Sequence, residues 1–212
     1  MQIVESPTER TTAATDVLLA LAALGGIAYL RSQPHPVPAD TSAWTWAFAL
    51  LSVSAALGAA YHGIALDGSR RNALWQALTF CLALAIALVA SGIARDLLGA
   101  EAADRARPAL LAAGAAVYAL SRAFPGLFIV FLLYQAVVLL AALAAYGTLA
   151  AAGSGGWAAW VAAGVVLALA GAAVQARRRS RIRLVWEFDH NGIFHLLQTA
   201  GLIVIWVGLG MR

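Results

Sequence analysis

The feature that most constrains this chain is the recurrence, along its whole length, of long apolar runs separated by short charged or proline- and glycine-bearing breaks. A run of about 18 or more residues with few charges is long enough to cross the hydrocarbon core of a bilayer as a helix. Only 11% of the residues are charged and 62% are hydrophobic, against about 25% charged in soluble domains. The expected fold is therefore all-α, a single integral-membrane domain over residues 1–212 forming a seven-transmembrane helix bundle. The runs place the spans at about 14–30, 44–66, 72–93, 108–120, 127–150, 157–176 and 191–211.

The breaks carry the topology. Residues 1–12 are polar and lack the basic n-region of a secretory signal, so the first apolar run is read as a span. Asp16 falls in the first turn of that span, where a carboxylate complements the helix dipole; a place in a polar site is the alternative. Pro34, Pro36 and Pro38 exclude a continuing helix and mark a loop in which His35 is a solvated histidine. Trp44 and Trp46 suit an aromatic belt. Asp67 to Arg71 reads as a charged turn, Arg95 to Arg107 as a polar loop, and Pro108 as the first turn of span four. Pro125-Gly126 and residues 153–156 (Gly-Ser-Gly-Gly) are further breaks, and Arg177 to Arg183 is the most basic loop.

All fourteen basic side chains are arginine. With seven spans, Arg10, Arg70, Arg71, Arg122, Arg177, Arg178, Arg179, Arg181 and Arg183 share one side; Arg31, Arg95, Arg105, Arg107 and Arg212 take the other. The positive-inside bias then predicts a cytoplasmic N-terminus and an outside C-terminus, and the arginine- and alanine-rich composition points to a bacterial inner membrane. The lipid bilayer is thus the first partner, and no basic soluble domain exists to hold nucleic acid. Cys81, the single cysteine, precludes an internal disulfide and a cysteine-built zinc site.

Against this apolar background the stretch Phe188 to Gln198 stands out, with His190, His195, Asp189, Asn191 and Gln198 at the entry to span seven. His62 ends span two on the same side, so the topology sets three histidines at similar depth. Polar groups inside a membrane are expensive and by default mark function. Imidazole is the commonest zinc ligand, and three protein ligands leave a fourth position for a water that attacks an amide or ester. We therefore expect His62, His190 and His195 as metal ligands for Zn2+, with Asp189 or Asp67 as proton acceptor or orienting carboxylate. Residues five apart on a helix differ by about 500°, so His190 and His195 converge only if His190 precedes the regular helix. Ser54, two turns before His62, lies roughly on its face; a hydroxyl bonded back to its own helix is the simpler alternative. Tyr61 and Trp75 are read as interface anchors rather than site walls, and Tyr134 and Gln135 as interhelical hydrogen-bond partners.

Seven spans with a histidine ending span two and a histidine pair opening span seven resemble the CREST superfamily, which includes alkaline ceramidases and the progestin and adipoQ receptors. The resemblance implies a zinc held by His62, His190 and His195 and a hydrolase acting on an amide or ester of a lipid-like small-molecule substrate. It implies a serine four residues before His62, where this chain has Gly58 with Ser54 a further turn away. It implies an aspartate near span three, where the chain offers Asn72 or Asp67. Its histidine spacing is four, which in this chain would pair Asn191 with His195. A non-catalytic metal-binding sensor or scaffold, with zinc locking spans two and seven, is the alternative function. No inverted repeat supports a transporter, and no second facing histidine pair supports haem.

Overall fold

The computed structural model describes residues 2–33, 42–177, 179–183 and 185–212. His35 with its flanking prolines, and Arg178, lie outside the described residues. Among the described residues seven α-helices follow in order: α1 Pro7–Ser32, α2 Ser42–Gly63, α3 Gly68–Leu98, α4 Ala100–Ala123, α5 Phe128–Ala151, α6 Gly156–Arg177 and α7 His190–Gly210. A 3-10 turn at Pro125–Leu127 breaks the chain before α5, as Pro125-Gly126 leads one to expect. Two-residue strands β1 (Ile182–Arg183) and β2 (Glu187–Phe188) pair antiparallel before α7. All but α4 are long and apolar enough to cross a membrane, which makes this a membrane protein of all-α class.

Several boundaries move outward from the apolar runs, because polar residues with caps extend helices that hydropathy alone cuts short. Ser6 caps α1, accepting from the Glu9 N–H, and Pro7 occupies the first helical position. Asp16 is therefore in the third turn, not the first, and the dipole role expected for it is corrected. The segment Arg95 to Arg107 is not a loop. Helix α3 continues to Leu98 and α4 starts at Ala100, joined only through Gly99, whose φ of 87° suits glycine. Pro108 accordingly lies inside α4. The charges of this corner pair with one another: Asp104 accepts from Arg107 at 2.8 Å and Arg95 at 3.3 Å, and Arg107 Nε donates to Ser91 Oγ at 3.3 Å.

Contacts between helices set their directions. Gly58 meets Asp16 and Gly26 meets Phe48, so α2 runs antiparallel to α1. Thr15 meets His195 and Tyr29 meets Trp206, so α7 closes onto α1 in parallel. Tyr134 reaches the Ala83 carbonyl at 3.5 Å and Tyr146 reaches Asp96 at 2.6 Å, so α5 runs parallel to α3. Helix α4 returns along α3, with Arg107 beside Ser91 and Gly114 beside Ala83, and lies at the periphery with only Ala103 and Gly114 buried. Odd-numbered α1, α3, α5 and α7 thus share one direction, opposed by α2, α4 and α6.

Small residues let the backbones approach, as close packing in lipid requires. Backbone comes closest to backbone at the seam between α6 and α7: a Cβ at Gly164 would stand 2.5 Å from the Gly201 carbonyl, and one at Gly201 2.7 Å from the Gly164 carbonyl. Gly171 and Gly208 repeat the contact one heptad along each helix. At the end away from the N-terminus, Asp96 joins Tyr146 to Arg212, whose guanidinium lies 4.8 Å over the Trp157 ring.

Candidate functional site

Helix α1, read from its sequence as a first span with a polar-site role only as the alternative for Asp16, supplies half of the polar cluster at the N-terminal end of the bundle. Glu9, Thr12 and Asp16 follow at spacings of three and four, which sets them along one face of a helix. Thr12, Thr15 and Asp16 are all buried, Asp16 with 4% of its surface exposed. That face meets His62 and Gly58 of α2 on one side and Asp189 and His195 of α7 on the other.

His195 is held on both ring nitrogens. Its Nδ1 lies 3.4 Å from Thr15 Oγ1 and its Nε2 3.5 Å from Asp16 Oδ1. The ring also sits beside the Thr12 carbonyl and within electrostatic range of His62 and Asp189. The single hydroxyl proton of Thr15 goes to the Thr12 carbonyl at 2.8 Å, leaving Thr15 Oγ1 to accept from Nδ1–H. A neutral His195 with its proton on Nδ1 presents a bare Nε2 to Asp16. The facing atoms therefore carry one proton between them, either on the carboxyl or on the imidazole, and both placements leave the pair neutral.

Asp16 is wedged rather than solvated. A Cβ at Gly58 would come within 2.9 Å of both its carboxylate oxygens, so only glycine at 58 leaves them room. Asp16 Oδ2 is buried and has no hydrogen-bond partner among the described residues. A second carboxylate–imidazole pair lies nearer the chain entry, where His62 Nδ1 stands 2.7 Å from Glu9 Oε2, with side-chain exposures of 17% and 32%. The two pairs, one part-exposed and one buried, lie at the same end of the bundle.

The residues expected at the site divide sharply. His62 and His195 both meet the polar face of α1, His62 at Glu9 and His195 at Asp16, but His190 does not join them. Helix α7 is already regular at His190, and the five-residue spacing turns its side chain about 140° from that of His195. Asn191, four residues before His195 and on its face, offers an amide that accepts from Gln175 Nε2 at 3.4 Å. Asp189 is the N-cap of α7, accepting from the Asn191 and Gly192 N–H groups at 2.9 and 3.0 Å and from Thr12 Oγ1 at 3.3 Å. It ties α7 to α1 and orders the entry to the site. Asp67 is the N-cap of α3, accepting from the Arg70 N–H at 2.9 Å with its side chain 56% exposed, and takes no part in the cluster. Ser54 donates to the Leu78 carbonyl at 3.0 Å, bonding α2 to α3 rather than its own helix.

The donor set does not fit the expected three-histidine zinc centre. His62 is engaged by Glu9, His195 by Thr15 and Asp16, and His190 is turned away. Among the described residues no group of three or more His, Cys, Asp or Glu side chains is placed to hold a metal ion. Sequence reasoning missed Glu9, Thr12 and Thr15 and held the polar site only as the alternative for Asp16, although the 9, 12, 16 spacing carried the signal.

Comparison with known proteins finds no matching curated protein and no matching solved structure. A family model matches residues 11–211, a span that takes in α2 to α7, α1 from its second turn on and the inner Asp16–His195 pair, and the chain belongs to that family of unknown function, DUF6962.

Proposed function

We propose that this is a seven-span protein of the bacterial inner membrane, N-terminus in the cytoplasm, whose function is proton exchange at the buried Asp16–His195 pair. The observation that carries the reading is Asp16 itself, a buried carboxyl group with one oxygen unpartnered among the described residues. Moving a carboxylate out of water costs several kcal/mol unless a partner compensates it, and intramembrane ionisable groups are a hallmark of proton relays. Gain or loss of the shared proton gives the pair a net charge where α1, α2 and α7 meet. That charge alters the packing of the three helices and makes the protein a responder to cytoplasmic protons. Glu9 and His62, the more exposed of the two pairs, are the route by which this reading brings the proton in.

The seven-span topology is supported by the return of α4 along α3 and by the arginines of the N-terminal end, Arg10, Arg70, Arg71, Arg122, Arg177, Arg179, Arg181 and Arg183. The proton reading is tested by infrared difference spectroscopy of the protein in lipid nanodiscs between acidic and alkaline pH. Wild type gives a carboxyl C=O band that Asp16→Asn abolishes and His195→Gln displaces. A difference spectrum that Asp16→Asn leaves unchanged overturns the proposal.

A second reading, zinc-dependent hydrolysis of an amide or ester in a lipid-like substrate, is favoured by one observation, that His62 and His195 both meet carboxylates of α1, two turns apart on one face. Metal analysis of chelator-free protein separates the two. Proton exchange expects no stoichiometric zinc. One zinc per chain, lost in both His62→Ala and His195→Ala, favours the hydrolase or a non-catalytic zinc scaffold, and lipid-amide turnover then distinguishes those.

A further inference from the structure

At the corner between α2 and α3, beside the polar cluster but separate from the Asp16–His195 pair, Tyr61, Gly68, Arg71, Asn72 and Trp75 line an open cleft of about 290 Å³. The last turn of α2 contributes Tyr61, and the first turns of α3 contribute the rest. The Arg71 guanidinium is held 4.5 Å over the Tyr61 ring. Tyr61 in turn packs on Trp75 with ring centroids 5.6 Å apart, and Trp75 packs on Phe128 of α5 at the same separation. The side chain is thus oriented by an aromatic stack and by a hydrogen bond to Tyr61, and of its five N–H donors the rest remain for a ligand, since Arg71 forms no ion pair among the described residues.

The acidic groups nearby are occupied: Asp67 is bound by Arg70 at 3.3 Å and Glu9 by His62 at 2.7 Å. Guanidinium and amide donors, flanked by a tyrosine and a tryptophan at the end of two spans, match the chemistry of the headgroup layer. Arginine binds phosphate oxygens through paired N–H donors, and aromatic side chains of this kind sit at headgroup depth. We propose that this cleft binds the phosphate of an anionic phospholipid on the arginine-rich side of the membrane, with Arg71 and Asn72 as donors and Tyr61 and Trp75 flanking the glycerol region.

The test is native mass spectrometry of the detergent-purified full chain titrated with phosphatidylglycerol or phosphatidylcholine, with inorganic phosphate as competitor. Wild type is expected to retain phosphatidylglycerol in preference to phosphatidylcholine. Arg71→Ala should weaken that binding roughly tenfold, about what one charge-assisted contact supplies, with a smaller loss in Asn72→Ala. Arg183→Ala, a control on the same face, should change it less than about twofold, as rim charges do. Equal losses in Arg71→Ala and Arg183→Ala would overturn the site in favour of a diffuse basic surface. Equal binding of the two lipids would overturn it as well. Displacement of the lipid by millimolar phosphate, itself dependent on Arg71, would reassign the cleft to a soluble anion.

Discussion

Gly58 is the residue on which the inner pair depends most directly, since it makes no polar contact and acts only by lacking a Cβ. Gly58→Ala would drive a methyl group to 2.9 Å from both Asp16 oxygens. The carboxyl group would have to leave His195 or the helices would have to part. Overpacking of this kind costs about 1–3 kcal/mol, so thermal unfolding in detergent should fall while the carboxyl infrared band shifts. Gly25→Ala in α1 is the matched control, since nothing lies within 4 Å of the added carbon. It is expected to be neutral or to stabilise by about 0.5–1 kcal/mol through the higher helix propensity of alanine. At this scale the sequence disclosed which residues were unusual but not their partners. His195 is conspicuous in an apolar run, whereas Asp16 reads as a dipole cap as long as the helix start is taken from hydropathy. Locating Ser6 as the cap shifts Asp16 two turns inward and changes its meaning.

Among the elements, α7 has the most to reveal, because its cap and its seam have separate jobs. Asp189→Ala removes the acceptor of two backbone N–H groups and one threonine hydroxyl and should cost about 1–2 kcal/mol, whereas Asp189→Asn should recover most of it. A proton acceptor in catalysis would not be rescued by the amide, so the pair of variants tells a capping role from a chemical one. Gly164→Leu attacks the other side of the helix, placing its Cβ 2.5 Å from the Gly201 carbonyl. It should part α6 from α7, visible as loss of the monodisperse folded species in size-exclusion chromatography. Most of the helices were legible from their apolar runs, and the break at Pro125 was legible from a dipeptide. The corner between α3 and α4 was not, because Arg95, Asp104 and Arg107 satisfy one another across it while hydropathy records only their polarity. The phase of α7 at His190 was equally hidden, since it turns on whether Asp189 or a later residue is the cap.

For the whole molecule, alternating helix directions make a statement about sides. Residues 69 and 180 belong to the N-terminal end and residue 154 to the opposite one. With Cys81→Ser as background, Ser154→Cys should react with a membrane-impermeant maleimide added to intact cells. Ser69→Cys and Ser180→Cys should react only after permeabilisation. Labelling of all three from outside would contradict the proposed orientation.

The pair of helices that closes the ring has a consequence in time. Thr15 and His195, which meet at 3.4 Å, are 180 residues apart in sequence. At about 5–20 residues per second, the ribosome takes on the order of 10–40 s to deliver the imidazole after the carboxyl group of α1 has been made. For that interval the first helix must be tolerated by the insertion machinery with a lone acid in its apolar body. A chain broken off before its last helix never receives the partner. Such products carry a lasting marker of incompleteness in the lipid, and membrane proteases should clear them faster than the same truncations bearing Asp16→Leu.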